Sequence, residues 1–225
     1  MELTILMPYL NEEKTLETCI KKAKKFLENN NINGEILIVD NGSTDNSVTI
    51  AKANKVKLIY ESQKGYGAAL RTGIKNAKGK YTIMGDSDDS YNFLEILPIL
   101  ELLRQGNDMV IGNRNRGKTE KGAIKILHKY IGTPLISFIA GKKYKIKIED
   151  FNCGLRGFNT EKVQQIQFVS TGMEFATEMI IKAKQNKLKI TEIPINFYKD
   201  GRNSKSHLRP IKDGIRHMRM IIFNK

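Results

Sequence analysis

The chain has 225 residues and 40% apolar content, enough for one large domain with a substantial core. Two cysteines, Cys19 and Cys153, stand at no paired spacing, which excludes a disulfide framework or zinc site and fits a reducing, cytoplasmic setting. The net charge of +14 suits a polyanion or an anionic surface, but residues 114–147 hold ten Lys/Arg against Glu120 alone, and residues 199–225 hold eight against two acids. The amino-terminal half is therefore close to neutral. No signal peptide is visible, and no stretch reaches the roughly 18 apolar residues of a membrane span.

In chain order, strands are expected at 3–8, 35–40, 57–61, 81–85 and 108–112. Helices are expected at about 12–28, from about 45, at 66–76 and at 93–104. This alternation predicts an α/β fold with a mostly parallel sheet flanked by helices. The second half is less regular. It has a helix near 124–140, strand-like pieces at 155–158, 189–193 and 195–198, and helices at about 173–186 and 209–223. Thr171-Gly-Met-Glu174 reads as a capping box for the helix near 173. Residues 1–200 are assigned to the main domain. Residues 201–225 form a basic loop and an amphipathic helix.

Residues 85–89, Gly-Asp-Ser-Asp-Asp, place three carboxylates at the end of the apolar run Tyr81–Met84. Carboxylates this close repel one another unless a cation or several donors offset them. Asp86 and Asp88 flank one residue, so both can reach one hard divalent ion. Mg²⁺ typically takes one or two protein carboxylates plus substrate phosphates. A plain alternative is a solvated acidic turn that caps the helix near Phe93.

Four polar loops follow consecutive strands: Pro8-Tyr-Leu-Asn-Glu-Glu13, Asp40-Asn-Gly-Ser-Thr-Asp45, Gln63-Lys-Gly-Tyr-Gly-Ala68 and the Asp86 cluster. Carboxylates, a lysine and glycines at one sheet edge suit a nucleoside diphosphate, since open α/β sheets bind ligands there. There is neither a P-loop nor a Gly-x-Gly-x-x-Gly after the first strand, which removes support from ATPase and dinucleotide readings.

Together these motifs resemble inverting family 2 glycosyltransferases with a GT-A, Rossmann-like fold. Val110-Ile-Gly-Asn-Arg114, His128-Lys-Tyr-Ile-Gly-Thr-Pro134, Asp150-Phe-Asn-Cys-Gly-Leu-Arg-Gly-Phe158, Gly172-Met-Glu-Phe-Ala-Thr-Glu-Met179 and Asp200-Gly-Arg202 extend the match. They point to the polyprenyl- and dolichol-phosphate glucosyl- and mannosyltransferase branch. The resemblance implies a nucleotide-sugar donor of the UDP-glucose or GDP-mannose type and a polyprenyl-phosphate acceptor. It also implies Mg²⁺ or Mn²⁺ on Asp86 and Asp88. Pro8, Leu10, Glu12, Asp40, Lys64 and Gly65 are then expected at the nucleotide sugar. Arg114 and Arg202 are expected at the acceptor phosphate, and Asp150 where the wider family keeps its candidate base. Members of the branch usually continue into membrane spans. None is expected before Lys225, so the chain is expected either to be shortened before such spans or to be a peripheral form at the cytoplasmic face of an anionic membrane.

The chemistry can be argued without the resemblance. Displacing a nucleoside diphosphate builds charge on the leaving oxygen, and a divalent ion stabilises it. A hydroxyl acceptor also needs a base, whereas a phosphomonoester, with a second pKa of about 6, arrives ionised. In the second case Asp150 is expected to orient groups near Arg156, and Asp86, Asp88 and Arg114 carry the catalysis. In the carboxyl-terminal helix an apolar stripe (Leu208, Ile211, Ile215, Met218, Ile222) runs beside a cationic one (Arg209, Lys212, Arg216, Arg219). That pattern suits an interfacial helix or a surface helix packed on the domain. Cys19 is expected in the core, and His207 and His217 at the surface or an interface rather than as metal ligands. The competing readings are a saccharide hydroxyl as acceptor, with Asp150 as base, and a non-enzymatic module binding polyanions or membrane. A nucleotidyltransferase is a weaker third. The enzyme readings involve no nucleic acid.

Overall fold

The computed structural model describes residues 1–123, 133–202 and 210–223. Seven strands form one sheet: β1 (Leu3–Tyr9), β2 (Gly34–Asp40), β3 (Lys57–Tyr60), β4 (Tyr81–Met84), β5 (Met109–Asn113), β6 (Arg156–Asn159) and β7 (Ile190–Pro194). Their order is β3-β2-β1-β4-β6-β5-β7. β1, β2 and β4 are buried on both faces over most of their length. This explains why they read as continuous apolar runs rather than as alternating strands.

Among the described residues the α-helices are α1 (Leu16–Asn29), α2 (Ser47–Ala53), α3 (Tyr66–Asn76), α4 (Leu97–Arg104), α5 (Thr133–Tyr144), α6 (Thr160–Gln164), α7 (Phe175–Gln185) and α8 (Pro210–Phe223). The stretch expected as one helix at 93–104 splits into a 3₁₀ turn, Phe93–Glu95, and α4, because Pro98 lies at the start of α4. Asn92, not an aspartate, caps that turn by accepting from the Leu94 amide. The piece expected as a strand at 195–198 contributes only one bridge, Phe197 to Thr119.

β6 pairs antiparallel with both β4 and β5, while the remaining ladders are parallel. The strand order reverses between β1 and β4, so the gap between their carboxyl ends is the topological switch point. The loops after these strands are tied together there. The Gly85 amide donates to the Leu6 carbonyl, and the Ser87 hydroxyl donates to the Pro8 carbonyl.

α8 packs on α5 and α7. His217 and Ile221 are buried in that contact, whereas Ile215 and Ile222 of the apolar stripe are about half exposed. His217 therefore departs from its expected position at the surface or an interface. Its ring Nδ1 lies 2.7 Å from the Thr177 hydroxyl. Of the helix expected near 124–140, the described part is α5 from Thr133. Residues 124–132, including the His128 motif, and His207, Leu208 and Arg209 lie outside the described residues. Among the described residues no helix is long and apolar enough to cross a membrane.

Candidate active site

At the switch point, the Arg202 guanidinium joins two of the sequence-predicted acids. Its Nη1 donates to Glu12 Oε1 at 3.0 Å and its Nη2 to Asp88 Oδ2 at 2.6 Å. The Gly201 amide donates to the Asp88 carbonyl, so the 199–202 segment is fastened to the β4 loop by backbone as well. Arg202 Nε is buried 3.6 Å from Asp200 and makes no hydrogen bond. Burial pushes Glu12 up to about 7. Arg202 pulls it down and Asp88 adds to the rise.

The three neighbouring aspartates have different surroundings. Asp89 adopts a positive φ of 64° and turns to Lys22 of α1, 2.7 Å away. Asp88 Oδ1 accepts from the Ser90 amide and hydroxyl. Asp86 Oδ1 accepts from the Tyr66 hydroxyl at 2.8 Å. Burial, and then repulsion from Asp88, raise Asp86 to about 6. Gly154 leaves room beside Asp86 Oδ2, which a Cβ there would approach to 2.7 Å. Two carboxylates short of compensating charge, with a cationic side chain already drawn onto one of them, suit a hard divalent ion. Among the described residues no group of three or more His, Cys, Asp or Glu side chains is arranged for a metal. An ion held by Asp86 and Asp88 would therefore complete its shell with water or substrate oxygens.

A second cluster lies at the ends of β2 and β3. Asp40 accepts from the Gly42 and Ser43 amides, which closes the turn after β2. The Asn41 side chain binds the Glu61 and Gln63 carbonyls and accepts from the Gly65 amide at 2.6 Å. Lys64 Nζ lies 3.2 Å from the carbonyls of Asn41 and Gly42. Asp40, Lys64 and Gly65 thus form one unit, while Glu12 belongs to the Arg202 cluster. Pro8 and Leu10 lie on the connection between them. Sequence reasoning passed over Asn41 and Tyr66, although both lie inside the motifs it used. Their signal was a polar side chain placed next to a required glycine.

The third cluster corrects an expectation. Asp150 pairs with Arg114 and not with Arg156. Arg114 Nε and Nη2 each donate at 2.8 Å to a different Asp150 oxygen, and the Arg114 amide adds a third bond. Burial works against ionising Asp150, but Arg114 holds it below the usual carboxylate range. Only 1% of the Asp150 side chain and 13% of the Arg114 side chain are exposed. Arg114 also stacks over the Phe197 ring. Arg156, fully buried, gives its guanidinium to the carbonyls of Phe151, Cys153 and Ala176, so it fixes the 151–153 backbone. The Cys153 thiol, pushed up to about 12 by burial, is not a nucleophile.

The expected capping box is not formed. The Thr171 hydroxyl accepts from Arg216 Nη2, and Glu174 Oε1 accepts from the Gly172 amide and from Arg216. An arginine 42 residues away in sequence displaces the local pairing.

Against known proteins, the family model described as Glycosyl transferase family 2 matches residues 4–167. A low-salt glycan biosynthesis hexosyltransferase, Agl6, of Haloferax volcanii is 36% identical over 99% of this chain. The chain spans about half of that relative's length, 53%. A UDP-N-acetylglucosamine–dolichyl-phosphate N-acetylglucosaminyltransferase of Methanococcus voltae is 30% identical, over 85% of this chain and 83% of the relative. The human dolichyl-phosphate beta-glucosyltransferase is 28% identical, over 87% and 67%. Among solved structures, glucosyl-3-phosphoglycerate synthase from Mycobacterium tuberculosis, crystallised with Mn²⁺, UDP and product, superposes with a TM-score of 0.74. It is 20% identical, over 98% of this chain and 77% of that one, and the likeness is one of fold.

Proposed function

This chain belongs to glycosyltransferase family 2 and is a glycosyltransferase with a GT-A fold, and on that premise we propose that it moves a hexose from a nucleotide sugar to a polyprenyl phosphate with inversion. The observation that carries the acceptor assignment is the state of Asp150. It is sealed from solvent and both of its oxygens are engaged by Arg114. A carboxylate so engaged is a poor base for an incoming hydroxyl, whereas a phosphate acceptor arrives as its own nucleophile. The names of the Methanococcus and human relatives, both dolichyl-phosphate transferases, support the same reading.

In this reading Asp40 orients the nucleoside, and Lys64 with the Gly65 backbone faces the diphosphate. Asp86 and Asp88 hold Mg²⁺ or Mn²⁺. The bound ion neutralises charge on the leaving diphosphate. Tyr66 holds Asp86 in place, and Glu12 offers Arg202 a second partner when Asp88 turns to the ion. Arg114 and Arg202 are the cations proposed for the acceptor phosphate. The apolar side chains left exposed on the packed pair α5 and α8 (Leu135, Phe138, Ile215, Ile222 and Phe223) would rest on the lipid surface that carries the acceptor, at its cytoplasmic face.

The test is product chemistry. The protein, Mn²⁺ and a labelled sugar nucleotide are offered polyprenyl phosphate or an oligosaccharide. An acid-labile glycosyl phosphate is the expected product. An acid-stable glycosidic product, with no transfer to the lipid phosphate, would assign the hydroxyl reading instead.

A further inference from the structure

The Gly65–Ala68 turn has no freedom on its far side. It is moulded on the segment 170–172, where the Ala68 amide donates to the Thr171 carbonyl. A Cβ on Gly65, whose φ is +134°, would run into that same carbonyl. One on Gly67 would meet the Ser170 and Gly172 carbonyls at 2.7 and 2.9 Å. On its near side the turn carries Tyr66, bonded to Asp86, and the Gly65 amide, bonded to Asn41. Whatever fixes 170–172 therefore also fixes the turn.

Glu178 of α7 holds the start of that segment, accepting from the Val169 and Ser170 amides, and the carboxyl-terminal helix holds Thr171 and Gly172. Arg216 of α8 donates to the Thr171 hydroxyl at 3.1 Å and to Glu174 Oε1 at 2.6 Å, and Glu174 Oε1 accepts from the Gly172 amide. The guanidinium lies close against Gly172, where a Cβ would meet Arg216 Cζ at 2.9 Å. Glu174 is buried and its Oε2 has no hydrogen-bond partner. The carboxylate thus relies on Arg216 for compensation. A buried charge that loses its partner must find water or a proton, and the backbone around it moves. The neighbouring His217–Thr177 contact anchors the helix at the same level.

We propose that Arg216 is a positioning residue for the nucleotide-sugar donor. Acting through Glu174 and Thr171, it holds the Lys64–Ala68 turn in its donor-binding shape, so that the placement of α8 is felt at the diphosphate. The proposal rests on the donor site described above. It goes beyond that site by giving the carboxyl-terminal helix a part in donor affinity.

The experiment measures UDP and GDP affinity by calorimetry with Mn²⁺, and donor KM and kcat. The variants are Arg216→Ala, Arg216→Lys, Glu174→Gln, the Arg216→Ala/Glu174→Gln pair and Lys64→Ala. Arg216→Ala is expected to weaken nucleotide binding and raise donor KM about tenfold, with kcat changed less than threefold. Arg216→Lys should recover most of the loss. The pair should lose no more than the worse single variant, because both residues act in one chain. If Arg216→Ala does not fold, Glu174→Gln carries the test through the same KM-against-kcat split, with wild-type donor KM and nucleotide affinity overturning the relay. Wild-type nucleotide affinity in folded Arg216→Ala, beside weakened binding in Lys64→Ala, would overturn the relay while leaving the donor site standing. Wild-type affinity in Lys64→Ala as well would remove the donor site itself. A fall in kcat alone in the Arg216 variants would also overturn the relay.

Discussion

Replacing Asp150 with asparagine removes one negative charge from a pocket where it has one dominant partner. The carboxylate receives three N–H bonds, all from Arg114. The amide keeps one accepting oxygen and turns an NH₂ toward a guanidinium that can only donate. Arg114, with 13% of its side chain exposed, is then left without its counter-charge. Breaking a buried pair by changing one partner costs about 3–5 kcal/mol. For a protein of this size, each kcal/mol lowers Tm by about 2–4 °C, so a fall of roughly 6–20 °C is expected. Thermal and urea unfolding at pH 7 measure it. The double variant Arg114→Met/Asp150→Leu, which removes both charges, should recover much of the loss. Kinetics of the folded fraction provide the second readout. With polyprenyl phosphate as acceptor, single-turnover transfer by Asp150→Asn should stay within about tenfold of wild type, while Arg114→Ala and Arg202→Ala fall much further. A general base would cost about 10²–10⁴ in rate. Stability within about 1 kcal/mol of wild type would refute the pairing argument. Severe kinetic loss in Asp150→Asn alone, with both arginine variants near normal, would refute the phosphate acceptor.

Asp86→Asn and Asp88→Asn should each abolish transfer and Mn²⁺-dependent nucleotide binding while circular dichroism stays native. Near-normal turnover in chelator would exclude the metal assignment. Asp40→Ala should weaken nucleotide binding by about 1.5–3 kcal/mol, the range for a lost charged hydrogen bond, as read by calorimetry. His217 is held down to about 4 by burial, with Arg156 and Arg216 adding to the effect against Glu174 and Asp213. Its ordinary value is near 6.5, so below that pH the unfolded chain takes a proton that the fold refuses. Stability should therefore fall as pH drops from about 6.5 to 4, by up to about 3 kcal/mol, and stay level in this respect above 7. Urea midpoints across that range should lose part of this slope in His217→Gln.

The first half of the fold was legible because β1, β2 and β4 are buried on both faces and its turns are marked by Gly, Asn and Asp. The helix expected at about 66–76 is α3, Tyr66–Asn76. The place of β6 was not legible. No local pattern says that a strand at 156–159 will insert between β4 and β5 and run against both. The same holds for the charges. Asp150 and Arg156 are six residues apart and invite pairing. The chain instead pairs Asp150 with Arg114, 36 residues earlier, and spends Arg156 on three carbonyls. Glu174 was read as a cap for the same reason, since sequence shows near neighbours and Arg216 is a distant one. Pairing was therefore less legible than residue type. Lys64, Gly65 and Asp40 do meet, and Glu12 meets Asp88 only through Arg202.

The Arg202 bridge bears on the tempo of the enzyme. Any group that takes Asp88 Oδ2 must first take it from Arg202, so the ligand binds only to the fraction of molecules whose bridge is broken. Apparent affinity and association rate are both scaled by that fraction. Salt screens this buried bridge little, whereas it screens the exposed Lys64 and, on the proposed donor reading, its attraction for an approaching diphosphate. On that reading the fraction of molecules with an open bridge sets a ceiling on capture that salt does not move, and capture below that ceiling declines steadily as salt rises.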